Sequence, residues 1–231
     1  MTNIVFACSA NVEISFCPSE GVPEALRGQK HVVSGIEEGD GVYTVHLGHG
    51  EYFRFTPNGE VSRFAAGSSV NMLRAFTSLG IPKNSDGNTP KMFVVMPLDS
   101  ESPNGSFLVK AVREMGGEPV VILADRTPIT LALRERGETT LFCVKPGYHF
   151  EPEKVENLLP AQIDFAVLTG IKAEDIPLSR LIRGRANLFA VMPHRSVLSK
   201  ESSMRSMLLE VTSRAVLMQV NEAEAEVLCG D

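Results

Sequence analysis

The apolar positions of this chain fall into two regimes. From Lys91 onward, apolar runs recur at Met92 to Met96, Pro119 to Ala124, Thr140 to Val144, Phe165 to Thr169, Leu188 to Met192 and Ala215 to Val220. Stretches of helical spacing fall between several of them, at Ser106 to Met115, Glu153 to Leu159, Ile176 to Arg183 and Lys200 to Thr212. Unbroken apolar runs alternating with helices predict an α/β fold with a mostly parallel sheet covered on both faces. Asn3 to Cys8 reads as a further central strand. Ile129 to Arg134 and Thr140 to Cys143 read instead as a hairpin across Glu135-Arg136-Gly137-Glu138.

The stretch from residue 21 to 64 is different. Val42 to Leu47 and Glu51 to Phe55 alternate, and Thr56-Pro57-Asn58-Gly59 is a turn signal between Phe53-Arg54-Phe55 and Val61 to Phe64. This predicts a small antiparallel sheet standing off the main body.

Between the two regimes lies Ala65 to Gly80. Small residues open it, and Ser68 or Ser69 is placed to cap a helix. Val70, Leu73 and Phe76 follow at helical spacing, with Leu79 one turn on; Gly80 and Pro82 stop the helix. A glycine turn feeding a helix N-terminus collects unpaired N–H groups and suits an anion or a hydroxyl-rich ligand. The same pattern also serves as a plain cap with tight packing. Asn71, in the first turn, carries a carboxamide able to donate and accept. At the other end, Asn221 and Glu224 follow an apolar run directly. Asn with Glu three residues on is a capping box, and the carboxylate is equally a hard-oxygen donor for Mg²⁺.

Composition narrows the picture little. The 231 residues suit one large domain, and 43% hydrophobic content supports a real core. The net charge of −6 comes without a basic run, so nucleic acid is not an expected partner. No apolar stretch approaches membrane-spanning length, and the N-terminus lacks the basic lead of a signal peptide, so a cytoplasmic protein without a membrane partner is expected. Cys8, Cys17, Cys143 and Cys229 show no C-x-x-C pairing and are expected as buried free thiols. Neither a Walker A pattern nor a Gly-x-Gly-x-x-Gly turn occurs.

Ala66-Gly67, Ser68-Ser69-Val70, Asn71 and Leu79-Gly80 resemble the first signature of the ribokinase-like, or phosphofructokinase-B, family of sugar and nucleoside kinases, with Ala66 in place of the first glycine. Asn221 and Glu224 match its Asn-x-x-Glu landmark. The resemblance implies a single three-layer α/β/α domain with a mostly parallel sheet, in which residues 21–64 form an inserted β lid able to make a homodimer contact. It implies ATP and Mg²⁺ as cofactors and a small hydroxylated molecule as the partner, phosphorylated in line. Glu13, Gly67 and Asn71 would hold the substrate, Asn221 and Arg195 the nucleotide or phosphate, and Glu224 the metal. Glu13 stands where the family has Asp. Of the Asp-Pro-Asn-x-Arg that many members carry, only Arg195 remains, with Val191 at the Asp position. The family's Gly-Ala-Gly-Asp loop, which bears the general base, is expected C-terminal to Asp231; the domain is read as C-terminally incomplete and the 231 residues alone as weakly active. The departures at Glu13, Ala66 and Val191 equally fit a relative that binds a ligand or a partner without phosphoryl transfer.

Overall fold

A computed structural model of the chain describes residues 2–7, 9–80, 87–147, 150–171, 175–193, 198 and 205–229. Six strands form an all-parallel sheet in the order β14-β13-β12-β1-β8-β9. They are β1 (Asn3–Ala7), β8 (Lys91–Leu98), β9 (Gly117–Leu123), β12 (Ile163–Ile171), β13 (Ala186–Pro193) and β14 (Leu217–Met218). The apolar runs of the central strands β1, β8 and β12 lack alternation because both faces are buried. Along β1, Ile4 and Phe6 join one core, while Val5 and Ala7 join the other. Helices α1 (Ser68–Ser78) and α2 (Pro103–Glu114) serve the first face, with Leu73, Leu108 and Val112 fully buried. Helices α3 (Pro152–Glu156) and α4 (Ile176–Arg185) serve the second, through Val155, Ile176 and Ile182. The chain finishes in α5 (Arg205–Thr212) and α6 (Glu222–Cys229).

The remaining strands build two further sheets. A mixed five-stranded sheet runs β3-β11-β10-β2-β7, formed by β2 (Asn11–Phe16), β3 (Lys30–Val33), β7 (Ser62–Ala66), β10 (Ile129–Glu135) and β11 (Glu138–Val144). A three-stranded antiparallel sheet holds β4 (Gly35–Gly39), β5 (Val42–Gly48) and β6 (Glu51–Phe55). The β10–β11 hairpin turns through Arg136 and Gly137, both at positive φ, as the sequence predicts. The expected pairing across Thr56 to Gly59 does not form. β6 pairs with β5, whereas β7 crosses to pair antiparallel with β2. The turn residues bond instead to the segment after β2, with Ser19 N–H donating to Thr56 O and Asn58 N–H to Cys17 O. The burial of Phe55 against Phe142, with ring centroids 5.7 Å apart, accounts for the split, since it ties β6 to the core face of the larger sheet.

Three local expectations are corrected. Neither Ser68 nor Ser69 caps α1 through its side chain; the N-cap is Gly67. Leu79 does not extend the apolar stripe and is 85% exposed. Cys17 and Cys229 are exposed, and of the described thiols only Cys143 is buried, because Cys17 lies just past the end of β2 and Cys229 ends a helix with no buried residue. Cys8 lies outside the described residues.

Candidate active site

The strand-to-helix turn at Gly67 is forced by the backbone around it. Gly67 has φ +89° and ψ 155°, a region essentially reserved for glycine. A Cβ there would lie 2.7 Å from Ala10 Cα, 2.8 Å from Ser9 O and 2.9 Å from Asn11 Oδ1. The pinch brings the loop after β1 against the start of α1, and Ser69 N–H donates to Ser9 O at 2.9 Å. Beneath it runs a hydroxyl relay. Thr169 Oγ1–H donates to Ala7 O at 3.0 Å, so the Ser69 hydroxyl donates to Thr169 Oγ1, also at 3.0 Å. Ser69 Oγ in turn accepts from Ser9 N–H at 3.3 Å. Both hydroxyl groups are fully buried. The relay thus ties the ends of β1 and β12 to α1 with buried polar groups that are all paired.

A cavity of about 630 Å³ opens above these elements. Its floor comes from the C-terminal ends of the six-stranded sheet, where an open parallel sheet places ligands. Gly170, Met192 and Gln219 contribute there, together with Asn221 and Glu224 at the start of α6. Its other wall is one face of the five-stranded sheet, with Asn11, Thr130 and Cys143 lining it. Asn11 Nδ2–H donates to Thr130 Oγ1 at 2.9 Å, which turns Oδ1 toward Gly67. Gly170 sits at φ +61° with Ser9 Cβ 3.6 Å from where its own Cβ would be.

The structure gathers some of the predicted residues and separates others. Gly67, Asn221 and Glu224 meet at the cavity or its edge. Glu13 shares a strand face with Asn11 but stands one pleat further along β2 and does not line the cavity. Asn71 is exposed on α1; its Oδ1 accepts from Arg74 Nη1 at 2.8 Å, while Arg74 Nη2 holds Ala65 O at 2.7 Å. Asn71 therefore braces the β7–α1 junction and does not line the cavity. Arg195 lies outside the described residues. Asn11 is the residue that sequence reasoning missed. Its signal was a polar side chain opening a strand otherwise rich in apolar positions.

Asn221 and Glu224 close a reciprocal capping box: Asn221 N–H donates to Glu224 Oε2 at 3.0 Å, and Glu224 N–H to Asn221 Oδ1 at 2.9 Å. Glu224 Oε1 has no protein partner among the described residues. A Mg²⁺ ion held mainly by phosphates and water takes one or two carboxylates, so a single oxygen at the cavity edge fits it. Among the described residues, no three His, Cys, Asp or Glu side chains gather into an all-protein metal site. Asp99 forms a turn: its Oδ1 accepts from Glu101 N–H and its carbonyl from Ser102 and Thr127.

No protein-family model matches the sequence, and no curated protein does. Solved structures do match. An adenosine kinase from Anopheles gambiae, in complex with a di(adenosine) tetraphosphate, aligns over 99% of this chain and 68% of its own, with TM-score 0.65 and 13% identity. A carbohydrate kinase from Agrobacterium tumefaciens aligns over 100% of this chain and 64% of its own, with TM-score 0.56 and 18% identity. A PfkB protein from a Polaromonas species aligns over 100% and 69%, with TM-score 0.66 and 14% identity. This chain therefore spans about two thirds of the length of the structures it matches. No helix among the described residues is long and apolar enough to cross a membrane. The chain has the three-layer fold of the ribokinase-like, or phosphofructokinase-B, sugar and nucleoside kinases.

Proposed function

We propose that this chain carries the substrate half and part of the nucleotide half of an ATP-dependent kinase that phosphorylates a hydroxyl of a small sugar or nucleoside. The observation that carries the reading is the single cavity edge shared by the Gly67 pinch, Asn11 and the Asn221–Glu224 box. Phosphoryl transfer asks a protein mainly for positioning and for stabilisation of charge. Asn11, steadied by Thr130, presents Oδ1 as an acceptor for a substrate hydroxyl. Gly67 lets the loop that carries Asn11 close onto the start of α1. Glu13 and Asn71, one pleat and one helical turn removed, complete the substrate side once the β3–β7 roof acts as a lid. Asn221 and Glu224 face the phosphates, and Arg195 is assigned to the same end. Glu224 Oε1 is the oxygen that would hold Mg²⁺, whose charge offsets that of the phosphates when bound. The general base is assigned to a Gly-Ala-Gly-Asp loop C-terminal to Asp231, and no residue of the cavity is given that role.

Two measurements test this. Titration of the 231-residue chain with ATP should give saturable binding that tightens with Mg²⁺, and Glu224→Gln should remove the Mg²⁺-dependent part. The longest natural chain should turn over at least one member of a panel of sugars, sugar derivatives and nucleosides. Absence of both nucleotide binding and turnover would overturn the proposal.

A further inference from the structure

The cavity is not electrically uniform. Its sheet wall and its floor carry opposite charges. Pleat and register fix which side chains share the wall. Thr130 registers with Glu13 on β2 and with Cys143 on β11; Cys143 registers with Val32 on β3, and Leu141 with Lys30. Residues two apart point the same way. Asn11, Thr130, Cys143, Lys145, Val32 and Lys30 therefore occupy one face, and all six line the cavity. Lys145 follows β11 in the row of Asn11, about 10 Å across two strands. Lys30 stands on the edge strand, at the rim.

Both ammonium groups are exposed, and neither has an ion-pair partner among the described residues. Glu13 shares the face but does not line the cavity and pairs with neither lysine. The carboxylates that do line the cavity, Asp175 and Glu224, belong to the floor side, at the start of α4 and in α6. In a chain with net charge −6, two ammonium groups that line one cavity without an ion-pair partner among the described residues form a local field that draws anions. A second observation points the same way. No aromatic side chain lines the cavity among the described residues, so none of those residues stacks on a nucleobase.

We infer that the acceptor is an anionic hydroxylated small molecule, a sugar phosphate or a sugar acid, whose charged group is held by Lys30 and Lys145, and that it is not a nucleoside. This rests on the kinase reading above and narrows its substrate. Asn11 then takes a hydroxyl near the Gly67 turn while the lysines take the anion further across the same sheet face. Phosphate and carboxylate share the chemistry that an ammonium recognises.

The test is equilibrium binding to the 231-residue chain at low salt, with fructose 6-phosphate, gluconate, fructose and adenosine as probes and Mg·ATP in a separate titration. At least one of the two anions should bind about tenfold or more tighter than fructose and than adenosine, as expected for a charge-assisted contact. Preference for fructose 6-phosphate would identify a phosphate, and preference for gluconate a carboxylate; either supports the inference. Lys30→Gln and Lys145→Gln should each erode the preference severalfold, while Lys110→Gln on α2 should leave it intact. If fructose or adenosine binds as tightly as both anions, or if none of the four probes binds, the inference is overturned. Mg·ATP binding in that case would leave the kinase reading standing; its absence would remove both. Unfolding curves for the variants separate lost contacts from lost folding.

Discussion

Replacing Gly67 with alanine adds one methyl group where the fold has least room for it. Two costs combine. The φ and ψ of Gly67 lie in a region that charges a residue with a Cβ about 1–3 kcal/mol. The methyl would also fall within 3 Å of three atoms, two of them backbone, so neighbours have to move, and overpacking of this kind costs about 1–3 kcal/mol more. Gly67→Ala is therefore expected to lose about 2–6 kcal/mol, a large share of the stability of a typical domain. Gly59→Ala is the matched control: Gly59 has φ +96°, but nothing lies within 4 Å of its added methyl, so that variant carries conformational strain alone. Equilibrium urea unfolding, with an unchanged slope against denaturant, gives both values. The two variants should differ by about 1–3 kcal/mol. Equal losses would show that the close approach of Ser9 and Ala10 is not what demands glycine.

Other outcomes follow from the same reasoning. Ser69→Ala strands Ser9 N–H and breaks the contact to Thr169, and should cost about 1–3 kcal/mol; a double-mutant cycle with Thr169→Val should show coupling, and strict additivity would argue against a relay. Gly105→Ala sets a methyl 1.8 Å from Asp99 O and should give no soluble folded protein, which its far-ultraviolet dichroism would report. Burial, with the hydrogen bond to Glu38 next, raises the Tyr43 hydroxyl from 10.0 to about 12. Its folded-state value being the higher, the stabilisation is complete below pH 10 and is lost as pH rises from 10 toward 12. Tyr43→Phe should flatten that part of the stability profile. At the acid end, the Thr56 hydrogen bonds lower Glu20 and Arg180 lowers Glu210, so each contributes above its ordinary value of 4.5 and the contribution fades as pH falls below it. Glu20→Gln should make the chain less sensitive over that range.

What could be read in advance depended on how local its cause was. The central parallel strands were legible because burial on both faces leaves unbroken apolar runs, as in β1 and β12. The β10–β11 hairpin was legible because Arg136-Gly137 tolerates positive φ. The destination of β7 was not, because Thr56 to Gly59 looks the same whether the chain returns to β6 or leaves for β2; the burial of Phe55 against Phe142, 87 positions away, decides it. The site divided in the same way. Gly67 and the Asn221–Glu224 box advertise themselves by local pattern. Asn11, Lys30 and Lys145 converge only through sheet register, which joins residues more than a hundred positions apart. Ser68 and Ser69 both read as candidate caps because serine is a favoured residue at a helix start. Here the buried Thr169 hydroxyl claims Ser69.

The mixed sheet sets the β10–β11 hairpin, from beyond residue 128, between strands drawn from the first seventy residues. Such a roof is not a transplantable cassette. Excising residues 21–64 would strip β3 and β7 from the two margins and leave β11 and β2 as raw edges. Moving those residues to another scaffold would carry only the three-stranded ribbon intact. The same interleaving gives the chain many contacts between distant positions, so this sheet should assemble late and slowly, after the segments flanking it have already met.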